Sequence, residues 1–372
     1  MLKKISVKNY RSLKEVEIPL RRFNVFVGPN NSGKSNILDS LELLADLING
    51  SWEKINERGE FRSVVWGGNL GQHISINIEA ALENSTLYQY EVGLSGTVLG
   101  SCHINSEKLF IYRKKGRKKI ISRAEGKAKI LDVKEKDHKD YTLESTVLAV
   151  NRYTDKERNP HNLALKEFIQ GWSFYNISPP HMRNPMQVRK ESRLLKGGEN
   201  LSAVLHTLQS QYRGQFDSLE KELKRAIPEV EEVMTQLTTD GRTFVSIRES
   251  SFEDDFPVMS LSDGVLRFLG YLSVIYSTPP PTLICFEEPE NCVHPKLLQL
   301  LVDLMKEASA RTQMLITTHS PFLVNWLDPE DLVIVDKQDG QTKCKKAPSK
   351  RSLKEILKDI DLGDLWVSGG LK

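Results

Sequence analysis

The residues Gly28-Pro29-Asn30-Asn31-Ser32-Gly33-Lys34-Ser35 place two glycines, four residues between them, ahead of a Lys-Ser pair. That is the spacing of a phosphate loop. Glycine lets the backbone curl until successive N–H groups face a triphosphate, and the helix that follows turns its positive end to the same oxygens. In this frame Gly28, Asn30, Asn31, Ser32 and Gly33 form the cradle, and Lys34 meets the β- and γ-phosphates. Ser35 ligates Mg²⁺ and Asn36 lies at the α-phosphate. A plain Gly/Asn/Ser turn before a helix has the same local look. The flanks favour the phosphate loop: a buried-type strand, Phe23 to Val27, precedes it, and Ile37, Leu38, Leu41 and Leu44 follow at helical spacing.

Leu283-Ile284-Cys285-Phe286-Glu287-Glu288 is an apolar run ending in two carboxylates. A parallel strand buried on both faces accounts for the apolar run, and its carboxyl end is where open α/β sheets bind ligands. Glu287 is then placed to hold Mg²⁺ and Glu288 to orient or deprotonate an attacking water. Leu315-Ile316-Thr317-Thr318-His319 is a second such strand. If it pairs with the first, His319 reaches the γ-phosphate and the water.

Ser260-Leu261-Ser262-Asp263-Gly264-Val265-Leu266-Arg267 is adequate as a helix cap: Ser or Asp, then Gly, then apolar residues at helical spacing. An uncapped ring of N–H donors is also what a phosphate completes, so both readings stand.

These residues need a scaffold. Ile5 to Leu20 reads as two strands joined near Asn9-Tyr10-Arg11-Ser12, and Lys34 to Ile48 as a helix. Ser75 to Gly96 gives two strands parted by Glu83-Asn84-Ser85, and Leu109 to Val133 further hairpins with a basic turn. Asn200 to Leu237 is expected to be helical with an interruption at Pro228. Beyond it, helix and strand alternate. Such alternation, with the strand–loop–helix at the start, predicts an α/β fold: a mostly parallel core sheet built from both ends of the chain, an antiparallel β subdomain and a helical subdomain. The expected divisions are 1–150, 151–259 and 260–372.

Bulk composition narrows the class. Lys and Arg nearly balance Asp and Glu, for a net charge of +3, so the chain is no dedicated nucleic-acid binder and any such role falls to a local patch. Cys102, Cys285, Cys292 and Cys344 form no CxxC pair or metal cluster, which fits a reducing, cytoplasmic compartment. No signal peptide is read at Met1, and no run approaches the ~20 apolar residues of a membrane span. A soluble protein without membrane contact is expected.

The motif order, phosphate loop, Leu-Ser-x-Gly before a helix, acidic strand and histidine, resembles that of ABC-type P-loop ATPases. Within them the chain is similar to the SMC/RecF/OLD branch. The opening Ile5 to Leu13, the Gly28 to Asn36 loop, and Glu287-Glu288-Pro289-Glu290, His294-Pro295 and Thr317-Thr318-His319-Ser320-Pro321 carry the likeness. The resemblance implies ATP and Mg²⁺, ATP hydrolysis through Glu288 and His319, and an approach of Arg11 to the nucleotide. It also implies that Ser262 and Gly264 act on nucleotide held by a second copy, in a homodimer or higher even-numbered oligomer. Two positions depart: Val265 stands where Gln or Glu is usual, and Glu287 where Asp is more usual. The stretch after His319 is expected to be too short for the C-terminal nuclease domain of OLD proteins, and no heptads suggest an SMC arm.

An OLD-like ATPase without a nuclease domain implies the ATPase subunit of a bacterial antiviral defence system, with a nuclease or toxin as separate effector. A RecF-like repair ATPase on duplex DNA is the alternative, and a transporter subunit fits the opening strand and the Glu-Glu-Pro-Glu run poorly. The basic stretch Arg113-Lys114-Lys115-Gly116-Arg117-Lys118-Lys119 bears on the choice. It could grip phosphates, grip an acidic partner, or be a solvated turn.

Overall fold

The structure is a computed structural model describing residues 1–82, 86–97, 101–113 and 116–371. Its chain forms two compact units, residues 1–172 with 330–347, and residues 173–329 with 348–372.

In the first unit, β1 (Leu2–Tyr10) and β2 (Leu13–Pro19) form a hairpin whose corner holds Asn9 and Arg11 at positive φ, 57° and 48°. β1 alternates buried Ile5 and Val7 with more exposed Lys4, Ser6 and Lys8, as a strand covered on one face must. An eight-stranded antiparallel sheet continues from it through β4 (Ile74–Ala81), β5 (Leu87–Gly96), β6 (Cys102–Arg113), β7 (Gly116–Ala124), β8 (Lys127–Asp132) and β9 (Asp137–Thr142). The expected turn at Glu83-Asn84-Ser85 and the pair Lys114-Lys115 lie outside the described residues.

β3 (Phe23–Val27) is buried at every residue and runs into the loop and α1 (Lys34–Ile48). Strand Leu332–Gln338 lies parallel to β3, matching Leu332 to Val25 and Ile334 to Val27. It turns back antiparallel as Gln341–Lys346, and together these two strands are called the late hairpin.

The second unit pairs Leu283–Glu287, the acidic strand, in parallel with Gln313–Thr318, the histidine strand, joined by helix Pro295–Ala308. Tyr175 and Tyr271 pack on Phe286 from the acidic strand, with ring centroids 5.5 and 5.3 Å away. Helix Asp263–Ile275 packs against Arg213–Ala226, which buries Phe216, Leu219 and Leu223.

One expectation fails. Residues 230–237 are a strand, Val230–Leu237, paired antiparallel with Arg242–Glu249; the helices end at Ala226. Pro228 supplies no N–H to continue a helix. The stretch after it carries β-branched Val230, Val233 and Thr235, which the open edge of Arg242–Glu249 takes up as a ladder.

Candidate functional site

Two groups of residues carry the chemistry, one in each unit.

The phosphate loop leaves β3 at Gly28. A β-carbon there would lie 2.1 Å from the Val335 carbonyl oxygen, so the late hairpin crosses where only glycine fits. Asn31 (φ 63°) and Gly33 (φ 104°) are left-handed and coil the loop into α1. Lys34 is buried and donates from Nζ to the carbonyls of Gly28 at 2.8 Å and Pro29 at 3.0 Å. The first turn of α1 has no side-chain cap. Among the described residues the Ser32 hydroxyl is buried without a hydrogen-bond partner. A left-handed loop before an uncapped helix start, a buried ammonium and an orphaned hydroxyl suit a polyphosphate.

Around the loop, Lys337 Nζ reaches Asn31 Oδ1 at 3.4 Å. The Asn36 amide, expected at the α-phosphate, donates to Ser12 Oγ at 2.7 Å. Arg11 sits at the hairpin corner with a guanidinium nitrogen 3.3 Å from Asp39 of α1. Asp39 also takes hydrogen bonds from Tyr10 and Arg58. Burial and the Asp39 charge hold the Tyr10 hydroxyl well above the usual phenol range.

In the second unit the register sets Glu287 opposite Thr317. The Glu288 N–H extends the ladder to Thr317 O at 3.0 Å, and Glu288 turns left-handed at φ 44°. Its Oε2 accepts from Asn291 Nδ2 at 3.1 Å, and its Oε1 is 3.0 Å from His319 Nδ1. That second contact has an ion-pair distance without hydrogen-bond alignment. Glu290 is buried; its Oε1 accepts from Thr318 Oγ1 at 2.6 Å and from the His319 N–H at 3.2 Å. Burial pushes the Glu290 carboxyl above the usual carboxylate range against these hydrogen bonds. The structure thus brings Glu288 and His319 together, with Asn291, Glu290 and Thr318 beside them.

Ser262 is the exposed N-cap of helix Asp263–Ile275, and its hydroxyl accepts from Val265 N–H at 3.3 Å. Arg183 clamps the approach, donating to Leu261 O at 2.8 Å and Asp263 at 2.7 Å. A β-carbon on Gly264 would stand 2.8 Å from Cys292 O, so this helix start lies against the turn that follows Glu288. No cluster of three or more His, Cys, Asp or Glu side chains suited to a metal exists among the described residues.

The sequence matches, over residues 23–325, the family described as "AAA domain, putative AbiEii toxin, Type IV TA system". The chain belongs to the AAA_21 family. One curated relative of this AAA_21 chain, an OLD nuclease of Thermus scotoductus, is 43% identical over 44 residues, 12% of this chain and 8% of that protein. The match therefore spans a small part of the relative's length. Two solved structures share the fold at 13% identity. An SMC head bound to the C-terminal winged-helix domain of ScpA gives a TM-score of 0.61 over 95% of this chain and 99% of that one. An SMC head with an extended coiled coil, bound to a ScpA domain from Pyrococcus furiosus, gives 0.53 over 96% and 98%. This AAA_21 chain carries an AAA-type domain and has the fold of an ABC-type P-loop head.

Three contributors carried little local signal. Glu290 and Thr318 flank the expected residues, and only the likeness of the Glu-Glu-Pro-Glu and Thr-His-Ser-Pro runs pointed at them. Thr342 touches the loop from a strand with no motif of its own.

Proposed function

We propose that the chain binds ATP with Mg²⁺ on the loop 28–36 and hydrolyses it, and that two copies pair through bound nucleotide. We further infer that it is the cytoplasmic ATPase subunit of a bacterial antiviral defence system whose separate partner carries a nuclease or toxin activity. The observation that carries hydrolysis is Glu288, held at the end of a parallel strand by Asn291 and set 3.0 Å from His319.

Lys34 and the loop amides hold the β- and γ-phosphates. Glu288 orients a water and takes its proton as the water oxygen bonds to the γ-phosphorus; the bond to the bridging oxygen breaks, leaving ADP and phosphate. His319 fixes the water's approach. Ser35 and Glu287 are the residues that would hold Mg²⁺, which when bound offsets the charge on the phosphate oxygens. Exposed Ser262, followed by Gly264, offers the start of its helix to nucleotide held by the other copy. The AAA_21 description and the OLD nuclease relative support the defence reading.

Lys34→Ala should abolish ATP binding in calorimetry. Glu288→Gln should bind ATP, lose turnover, and shift from monomer to dimer mass with excess ATP and Mg²⁺. A Lys34→Ala protein that still binds ATP undoes the assignment, and a Glu288→Gln protein whose mass ignores ATP removes the pairing. Recovery from the native cell without a nuclease or toxin partner would count against the defence role.

A further inference from the structure

Side chains from three distant stretches form one hydrogen-bonded chain against the back of the phosphate loop. Asn36 Nδ2 lies 2.7 Å from Ser12 Oγ, Ser12 Oγ lies 2.7 Å from Thr342 Oγ1, and Thr342 Oγ1 lies 2.8 Å from the Ser32 carbonyl oxygen. A carbonyl oxygen only accepts, so Thr342 must direct its single hydroxyl proton at Ser32. Ser12 therefore donates to Thr342, and the Asn36 amide fills the acceptor side of Ser12. All three bonds run one way, from α1 through the β1–β2 corner and the late hairpin to the loop.

Packing closes the arrangement. Thr342 is buried at 1% exposure, and its N–H donates to Ser12 O at 2.9 Å. A β-carbon on Gly33 would fall 1.9 Å from Thr342 Oγ1. The threonine hydroxyl thus occupies the space that glycine leaves. Ser32 C=O and Gly33 N–H belong to one planar trans peptide and point opposite ways. Anchoring the carbonyl at the back of the loop turns that N–H to the front, where the cradle needs donors.

We propose that Thr342, held in place by Ser12, is a positioning residue for nucleotide: it fixes the Ser32–Gly33 peptide so that the loop is ready for a triphosphate before one arrives. This rests on the reading of the loop as the ATP site. Thr342 touches no phosphate; it acts through Ser32.

The test compares Thr342→Val, Thr342→Ser and Thr342→Ala with the unaltered full chain. Valine keeps the shape and removes the hydroxyl; serine keeps the hydroxyl. Thr342→Val should raise the ATP dissociation constant and KM about tenfold, the order expected when one buried carbonyl loses its donor. The kcat at saturating ATP should change less than about twofold, since the hydroxyl contacts no reacting atom. Thr342→Ser should restore binding. Without nucleotide, amide hydrogen exchange across residues 28–36 should speed up in Thr342→Val and not in Thr342→Ser. Unchanged ATP binding and exchange in Thr342→Val overturns the proposal, as does a Thr342→Ser protein as weak as Thr342→Val. If Thr342→Val does not fold, Thr342→Ala, which also lacks the hydroxyl, decides by the same two readings. Loosened exchange in a chain that binds no ATP in any form would leave the positioning intact and sink the ATP reading instead.

Discussion

Glu290 shows how one buried group ties chemistry to stability. Its Oε1 holds Thr318 and the His319 N–H, while its Oε2 is buried without a hydrogen-bond partner among the described residues. Desolvation raises its pKa from the usual 4.5. A carboxyl with a raised folded pKa binds its proton more tightly folded than unfolded. It therefore adds stability below the unfolded value, and that contribution is lost as pH rises through the folded value. Glu290→Gln keeps an oxygen for both donors and never ionises. Its melting temperature should exceed that of the unaltered chain at pH 8, and the gap should narrow toward pH 5. Thermal melts across that range check it, and a gap that widens on acidification would be the wrong sign. Lys34, Ser35, Glu287, Glu288 and His319 were singled out by residue type, spacing and motif order. Glu290 was not, because a carboxylate's burial depends on what covers it.

At the level of elements, strands end and helices begin where the reactive groups lie. The start of helix Asp263–Ile275 sits against the turn after Glu288 through the close approach of Gly264 to Cys292 O. Gly264→Ala would put a methyl 2.8 Å from that oxygen and push the helix start away from the turn. ATP affinity should stay within about twofold because the phosphate loop is untouched, while turnover should fall at least about tenfold, about 1.4 kcal/mol in barrier. Steady-state kinetics beside calorimetry separate the two; an equal loss of binding and turnover would place Gly264 elsewhere in the mechanism. Most elements were legible in the sequence because hydrophobic periodicity is local. The stretch 230–237 was not: its apolar spacing suited a helix, and a waiting strand edge overrode it.

At the level of the whole molecule, a net charge of +3 hides an uneven surface. Arg113 and Gly116 to Lys119 extend the strands of the β6–β7 hairpin, where Arg117 stacks on Phe110 at 3.5 Å to the ring centroid. Arg113 and Lys118, after burial, help push the His161 imidazole down to about 4, so that ring is neutral at pH 7. This cationic hairpin is the place where a duplex-DNA reading can be tested. On that reading, neutralising Arg113, Arg117, Lys118 and Lys119 should abolish DNA stimulation of ATP turnover and flatten its salt dependence. Turnover that ignores DNA in the unaltered chain removes the reading. Among the described residues no helix is long and apolar enough to cross a membrane.

Local patterns along the chain were enough to read the loop at 28–36, the strands ahead of Glu288 and His319, and the motif order shared with ABC-type ATPases. Those are local patterns, set by backbone freedom at glycine, by side-chain period and by the chemistry of adjacent residues. Which remote groups hold these in place depends on how the chain folds back on itself. Val335 crosses Gly28, Thr342 pins Ser32 from 310 positions away, and Glu290 anchors the histidine turn. A buried carbonyl needs a donor wherever the chain can bring one, and no spacing rule ties that donor to its place in the sequence.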